Sequence, residues 1–159
     1  AEKFCKMYSD LYGLETVVLR YFNVFGERSP RRGQYAPVIG IFDRQKLSGE
    51  ALTIVGDGTQ RRDFIYVGDV AKANLIAAEV RLDKKYFGQV FNIGSGINYS
   101  VQEIADAISD NQMFIPERQG EYPETLCTDE NAQNKLGWEA KKSIKNYARI
   151  KTSSKGPFS

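Results

Sequence analysis

The sequence predicts an α/β fold, and two observations carry that expectation. Phe4, Met7, Tyr8, Leu11 and Tyr12 recur at helical spacing, and the short β-branched run Thr16-Val17-Val18-Leu19 follows almost at once. A helix feeding a short, wholly apolar strand is the pattern of a parallel sheet covered on both faces. The alternation then continues down the chain.

The first helix ends at Gly13, a residue suited to the left-handed conformation of a helix C-terminus. Residues 15–21 read as a buried strand. Residues 23–35 carry Gly26, Pro30 and Gly33 and read as a long loop, a feature that in compact domains often binds something. Val38, Ile39, Ile41, Phe42 and Leu47 supply the apolar face of a second helix ending near Ser48-Gly49, and residues 52–55 read as the next strand. Gly56-Asp57-Gly58 forms a tight turn into a strand over residues 63–67. Asp69 is placed to cap a third helix whose buried face is Val70, Ala71, Ala73, Ile76, Ala77 and Val80. Residues 90–93 make another strand and 94–98 a turn. Ser100-Val101-Gln102-Glu103 is a capping box opening a helix to about Ile108. Phe114-Ile115 reads as an edge strand stopped by Pro116, and residues 129–136 and 143–149 as short helices. Residues 1–150 are expected to form one unit, followed by a disordered polar tail at 151–159.

With 159 residues, 42% hydrophobic and 26% charged, the chain fits one globular domain with its own core. Its 22 basic and 20 acidic residues nearly balance, which argues against a nucleic-acid or membrane partner and makes any anion site a local one. There is no apolar run of roughly 20 residues and no basic-then-apolar leader, so a cytoplasmic setting is expected. No histidine occurs, and Cys5 and Cys127 lie far apart. That excludes a Cys/His zinc site, a disulfide scaffold, and histidine-dependent serine or cysteine nucleophiles within these residues; no metal is expected. The first helix begins at Ala1 without a capping residue, so the natural protein is expected to begin further upstream.

Tyr21-Phe22-Asn23 falls at the carboxyl end of the buried strand, the edge of an open α/β sheet where ligands bind. Pattern alone favours two core rings with Asn23 merely starting the loop. Arg61 and Arg62 offer planar cationic forks suited to phosphate, and strand alternation lets at most one face a cleft; two solvated arginines would fit equally well. Arg118-Gln119-Gly120-Glu121 repeats the theme weakly on a second loop. Gly94-Ser95-Gly96 lacks the third glycine of a phosphate loop and reads as a structural turn.

Leu19-Arg-Tyr-Phe-Asn-Val-Phe-Gly26, Gly56-Asp-Gly-Thr-Gln-Arg-Arg-Asp-Phe-Ile-Tyr-Val67, Gly68-Asp-Val-Ala71 and Phe91-Asn-Ile-Gly-Ser-Gly96, in this order and spacing, resemble the extended short-chain dehydrogenase/reductase family of nucleotide-sugar epimerases. The likeness runs from Ala1 to about Ile150 and is strongest to UDP-glucose and UDP-N-acetylglucosamine 4-epimerases. It implies the C-terminal part of an extended Rossmann-type fold with the smaller substrate-binding domain. It also implies that Asn23 bonds a substrate diphosphate, with Phe22 beside it, and that Tyr21 lies by the nicotinamide of NAD. Arg62 and Arg118 would hold diphosphate and ribose, while Pro37, Val38, Thr53 and Val55 would enclose the base. Glu121 stands where the family usually has aspartate.

The family's reaction moves a hydride from C4 of a UDP-sugar to NAD and returns it to the other face, with a tyrosine and a lysine four residues later handling the proton. The resemblance places that pair and the glycine-rich NAD turn before Ala1. No catalytic residue is therefore expected in this chain, which should be inactive alone. A sugar-nucleotide 4,6-dehydratase, decarboxylase or reductase on the same scaffold is the alternative, and a non-catalytic nucleotide-sugar-binding or subunit-interaction protein is an alternative of another class. Relatives dimerise through helices that include the counterpart of residues 1–12, so a homodimer through the N-terminal helix is expected.

Overall fold

The computed structural model describes residues 1–33, 35–117, 120 and 122–153. The elements in order are α1 Glu2–Tyr12, β1 Val18–Tyr21, β2 Asn23–Phe25, α2 Val38–Leu47, β3 Leu52–Val55, β4 Arg61–Tyr66, α3 Val67–Glu79, β5 Val90–Ile93, β6 Asn98–Ser100, α4 Val101–Ile108, β7 Gln112–Ile115 and α5 Ile144–Ser153. Short helical turns occupy Lys84–Tyr86 and Ala132–Leu136.

Parallel pairing dominates, as an α/β sheet predicts, but β1 is not the fully buried strand expected, since Val18 and Leu19 are half-buried and Arg20 and Tyr21 are exposed. β1 runs parallel to β5 with Val18 opposite Val90, β2 parallel to β4 with Val24 opposite Ile65, and β3 parallel to β7 with Thr53 opposite Met113. β6 adds to β4 antiparallel. At Phe22 the chain crosses from one sheet to the next: its N–H still donates to Ile93 at 3.0 Å, and Asn23 then begins β2.

Two apolar clusters hold these layers together. One joins Phe25, Phe42, Leu52, Ile54, Phe64, Ile104 and Ile144 beneath α2, α4 and α5. The other joins Ile65, Val70, Phe91, Ile93, Leu136 and Trp138 beneath α3. β4 serves both, sending Phe64 into the first and Ile65 into the second, because successive strand residues point to opposite faces. α4 starts as predicted: Ser100 Oγ accepts from the Glu103 N–H at 3.0 Å, and the Glu103 carboxylate accepts from the Ser100 N–H at 2.8 Å. That reciprocal bonding holds the Glu103 carboxyl below the ordinary glutamate range, with Lys145 and Arg61 adding to the effect.

Several local expectations are corrected. Residues 23–25 pair as β2 and residues 98–100 as β6, inside segments read as a loop and as the approach to a helix. Asp69 is not a cap: α3 starts two residues earlier, after Tyr66, and Asp69 is buried. Its Oδ2 accepts from the Lys141 and Lys142 N–H groups at 2.9 and 3.0 Å, while its backbone carbonyl accepts from the Trp138 indole at 2.9 Å. The residue therefore ties α3 to the C-terminal segment. Leu47 is exposed, and Gln45 takes the buried place on α2, three residues on from Phe42. α5 continues to Ser153, into the segment read as tail; residues 154–159 lie outside the described residues.

Among the described residues no helix is long and apolar enough to cross a membrane.

Candidate functional site

A cavity of about 220 Å³ opens between the sheet containing β2 and β4, the strand β3 and the start of α2. Each wall follows from local sequence. Asn23, directly after the carboxyl end of β1, enters from β2; Arg62 enters from β4; Thr53 and Val55 share one face of β3; and Pro37 and Val38 open α2. Leu52 and Ile54, the alternate residues of β3, point the other way and are fully buried. Pro37 at the N-cap position fixes an extended entry into the helix, with φ −68° and ψ 153°.

The two arginines part as alternation requires. Arg61 turns away, donating from Nε to Asn98 Oδ1 at 2.9 Å and from Nη2 to the Asn98 carbonyl at 3.0 Å, and pairing with Glu103 at 3.2 Å. Arg62 lines the cavity, and one of its guanidinium nitrogens is steadied by the Arg61 carbonyl at 2.8 Å. Asn23 is held at the back of the cavity by Nδ2, which donates to the Asp63 carbonyl at 2.8 Å and to Thr125 Oγ1 at 3.2 Å. Both amide hydrogens are thus engaged within the protein. For its side chain to donate to a phosphate, Asn23 must release the longer contact, the one to Thr125.

Asp63, between these residues, is fully buried. Its Oδ1 accepts from the N–H and hydroxyl of Ser95 at 2.8 and 2.7 Å, and Oδ2 from the N–H groups of Gly96 and Cys127 at 3.0 Å each. The turn at 94–96 therefore wraps a carboxylate of the chain itself, in keeping with its reading as structural. A side chain at Gly94 would have no room, since a Cβ there would lie 2.5 Å from Cys127 Cβ and 3.0 Å from the Phe22 ring. Cys127 sits on the same loop, and burial pushes its thiol above the ordinary value.

Of the expected site residues, Asn23, Pro37, Val38, Thr53, Val55 and Arg62 come together around this cavity. Phe22 does not line it; it packs, partly buried, against the second apolar cluster. Tyr21 opens instead onto a broad groove between β1 and α3, half-exposed, with its hydroxyl donating to Asn74 Oδ1 at 2.9 Å. Arg118 and Glu121 lie outside the described residues. Ile41, Gln60 and Phe64 also line the cavity and went unpredicted. Spacing could have found two of them: Ile41 follows Val38 by one helical turn, and Phe64 shares the strand face of Arg62. Gln60 acts at its rim, donating from Nε2 to the Val55 carbonyl at 3.0 Å. Among the described residues no cluster of His, Cys, Asp and Glu could hold a metal ion.

A parallel-stranded α/β fold with a mixed polar and apolar cavity beyond the end of β1 has its cavity where α/β folds commonly bind ligands. A family model described as the NAD dependent epimerase/dehydratase family matches residues 1–94. The chain belongs to that family. It is 40% identical over 150 residues to a protein of Methanocaldococcus jannaschii assigned as a UDP-glucose 4-epimerase, an alignment covering 91% of this chain and 47% of that one. It is 42% identical over 107 residues to the UDP-N-acetyl-alpha-D-glucosaminuronate decarboxylase of Bacillus cytotoxicus, covering 67% of this chain and 32% of that one. Among solved structures, the UDP-glucose 4-epimerase of Thermotoga maritima with UDP-glucose superposes with a TM-score of 0.83 at 34% identity, covering 95% of this chain and 49% of that one. The fold is thus that of Rossmann-type epimerases, and the chain spans about half the length of the first of these relatives.

Proposed function

We propose that this chain is the nucleotide-sugar-binding part of an NAD-dependent UDP-sugar 4-epimerase. The observation that carries the reading is the meeting of Asn23, Arg62, Pro37, Val38, Thr53 and Val55 around one cavity. A permanently charged guanidinium beside an amide suits a diphosphate, and the apolar faces of Pro37, Val38 and Val55 suit a flat base. The names of the relatives, epimerases among them, support the same substrate class.

Bound NAD would supply the hydride acceptor and donor for chemistry at C4 of the sugar. The residues present fit only its nicotinamide end: Tyr21, half-exposed at the end of β1, offers a ring face and a hydroxyl already oriented by Asn74. In this reading the proton-transferring tyrosine and lysine and the phosphate-binding glycine turn are not assigned to any residue of this chain. The apolar side of α1, with Phe4, Leu11 and Tyr12 all more than half exposed, is the self-association surface of a homodimer. A monomer at high concentration with α1 ordered would remove the dimer from this picture.

A decarboxylase working on the same class of nucleotide sugar is the second reading, and the Bacillus cytotoxicus relative favours it. Thermal melting tests the binding claim shared by both. UDP-glucose or UDP-N-acetylglucosamine raises the melting temperature of the chain and NAD alone does not; no shift with any UDP-sugar would overturn the proposal.

A further inference from the structure

Gln45 is an anomaly that the proposed function does not use. It lies on α2 at 3% exposure, among side chains that are otherwise apolar, and reaches Thr53 on β3 with both ends of its amide. Its Oε1 accepts from the Thr53 N–H at 3.1 Å, and its Nε2 donates to Thr53 Oγ1 at 2.9 Å. The first bond settles the second: a backbone N–H can only donate, so the oxygen must face it and the NH2 must face the hydroxyl. Thr53 Oγ1 is thereby an acceptor toward Gln45, and its own proton has to go elsewhere. Among the described residues no hydrogen bond gives that proton a protein acceptor, while Thr53 itself lines the cavity.

We infer that Gln45 is a positioning residue: it turns the Thr53 hydroxyl into a donor aimed into the cavity, so that the site reads a carbonyl on the base and discriminates against an amino group. The inference rests on the proposed nucleotide-sugar reading and sharpens it. Asn23 and Arg62, on β2 and β4, mark the diphosphate end, and Thr53 stands on the separate strand β3. A pyrimidine whose ribose, attached at N1, points toward Arg62 presents the atom across its ring, C4, toward the other end. Uracil carries a carbonyl at C4 and cytosine an amino group. With uracil, the chain from Gln45 through Thr53 to the base is donor to acceptor at every step. With cytosine, two donors meet and the Thr53 proton is stranded, a loss of about tenfold in affinity for one unmet neutral hydrogen bond.

Calorimetric binding of UDP and CDP to the chain tests this, because the two ligands share the diphosphate and differ at the base edge. The wild type is expected to bind UDP about tenfold more tightly. Gln45→Glu keeps the acceptor for the Thr53 N–H but replaces the donor by a second acceptor. Thr53 then donates to residue 45 and turns a lone pair to the cavity, so at pH 8 the preference for UDP is lost or reversed. Thr53→Val, should Gln45→Glu fail to fold, removes the preference by weakening UDP to the level of CDP, and Thr53→Ser retains it. A merely structural Gln45 would weaken both ligands alike. Equal wild-type binding of UDP and CDP, or a preference for UDP that survives Gln45→Glu or Thr53→Val in a folded protein, overturns the inference alone. Binding of neither nucleotide overturns the nucleotide-sugar reading as well.

Discussion

The amide of Asn23 donates to the backbone carbonyl of Asp63 at 2.8 Å, so the residue read as a diphosphate ligand is anchored to the strand that presents Arg62. The same amide holds Thr125 at 3.2 Å. Its second hydrogen therefore reaches a phosphate only when the Thr125 contact opens. Thr125→Val removes the internal competitor, and UDP is expected to bind about threefold more tightly, the net worth of one neutral hydrogen bond. Isothermal titration measures this; unchanged or weaker binding would count against Asn23 as a side-chain phosphate donor.

Arg62→Ala removes the cation from the cavity. A charge-assisted hydrogen bond contributes about 1.5 to 3 kcal/mol, so UDP-glucose affinity falls by about ten- to a hundredfold. Arg62→Lys keeps the charge and loses the fork, and should recover only part of the loss. Arg61→Ala serves as the contrast, since Arg61 bonds Asn98 and Glu103 instead. It should cost stability and spare affinity.

Asp63→Ala removes a fully buried carboxylate and leaves three N–H groups, those of Ser95, Gly96 and Cys127, without their acceptor. The expected loss is about 3 kcal/mol or more in urea unfolding. A loss well under about 1 kcal/mol would mean that the loops at 95–96 and 127 find other partners.

The α4 capping box gives a pH signature. Glu103 in the folded chain lies below its ordinary value because the Ser100 N–H favours the carboxylate. Its contribution is therefore complete above the unfolded-state value of about 4.3 and is lost as pH falls through the folded value. The difference in stability between wild type and Glu103→Gln should be present at pH 7 and shrink toward zero in acid. Ser100→Ala should cost about 1 kcal/mol.

Asp69→Ala frees the Lys141 and Lys142 N–H groups, and the cost should be about 2 kcal/mol. The chain has one tryptophan, and Trp138 is buried against the same residue, so its emission should shift to the red in the variant.

How far these features could be read from the sequence depends on the range of the interaction involved. Strand alternation separated Arg61 from Arg62, and the serine and glutamate three residues apart announced the α4 cap, because each pattern is set by neighbours along the chain. β2 and β6 were missed since three-residue strands carry too little periodicity to stand out from loops. Asp69 looked like a cap for the same local reasons that usually make it one. Its actual partners are 72 and 73 residues away, and nothing near it in sequence names them. Gln45 was passed over because a polar residue beside Lys46 reads as the wet side of a helix, when the spacing from Phe42 had already placed it on the dry side. The grouping of the candidate site came from family likeness, which carries three-dimensional information that periodicity cannot.

The turn around the Asp63 carboxylate bears on where an anion can go. A glycine-containing loop with converging N–H groups would ordinarily compete for phosphate, but here an acid tethered to the next strand fills it at an effective concentration that free phosphate in solution does not match. The protein has closed one phosphate trap with its own charge one residue away from Arg62. Under the proposed nucleotide-sugar reading, an incoming diphosphate is left the one side of β4 that Arg62 faces, and part of its placement is set by a turn that ligand never enters.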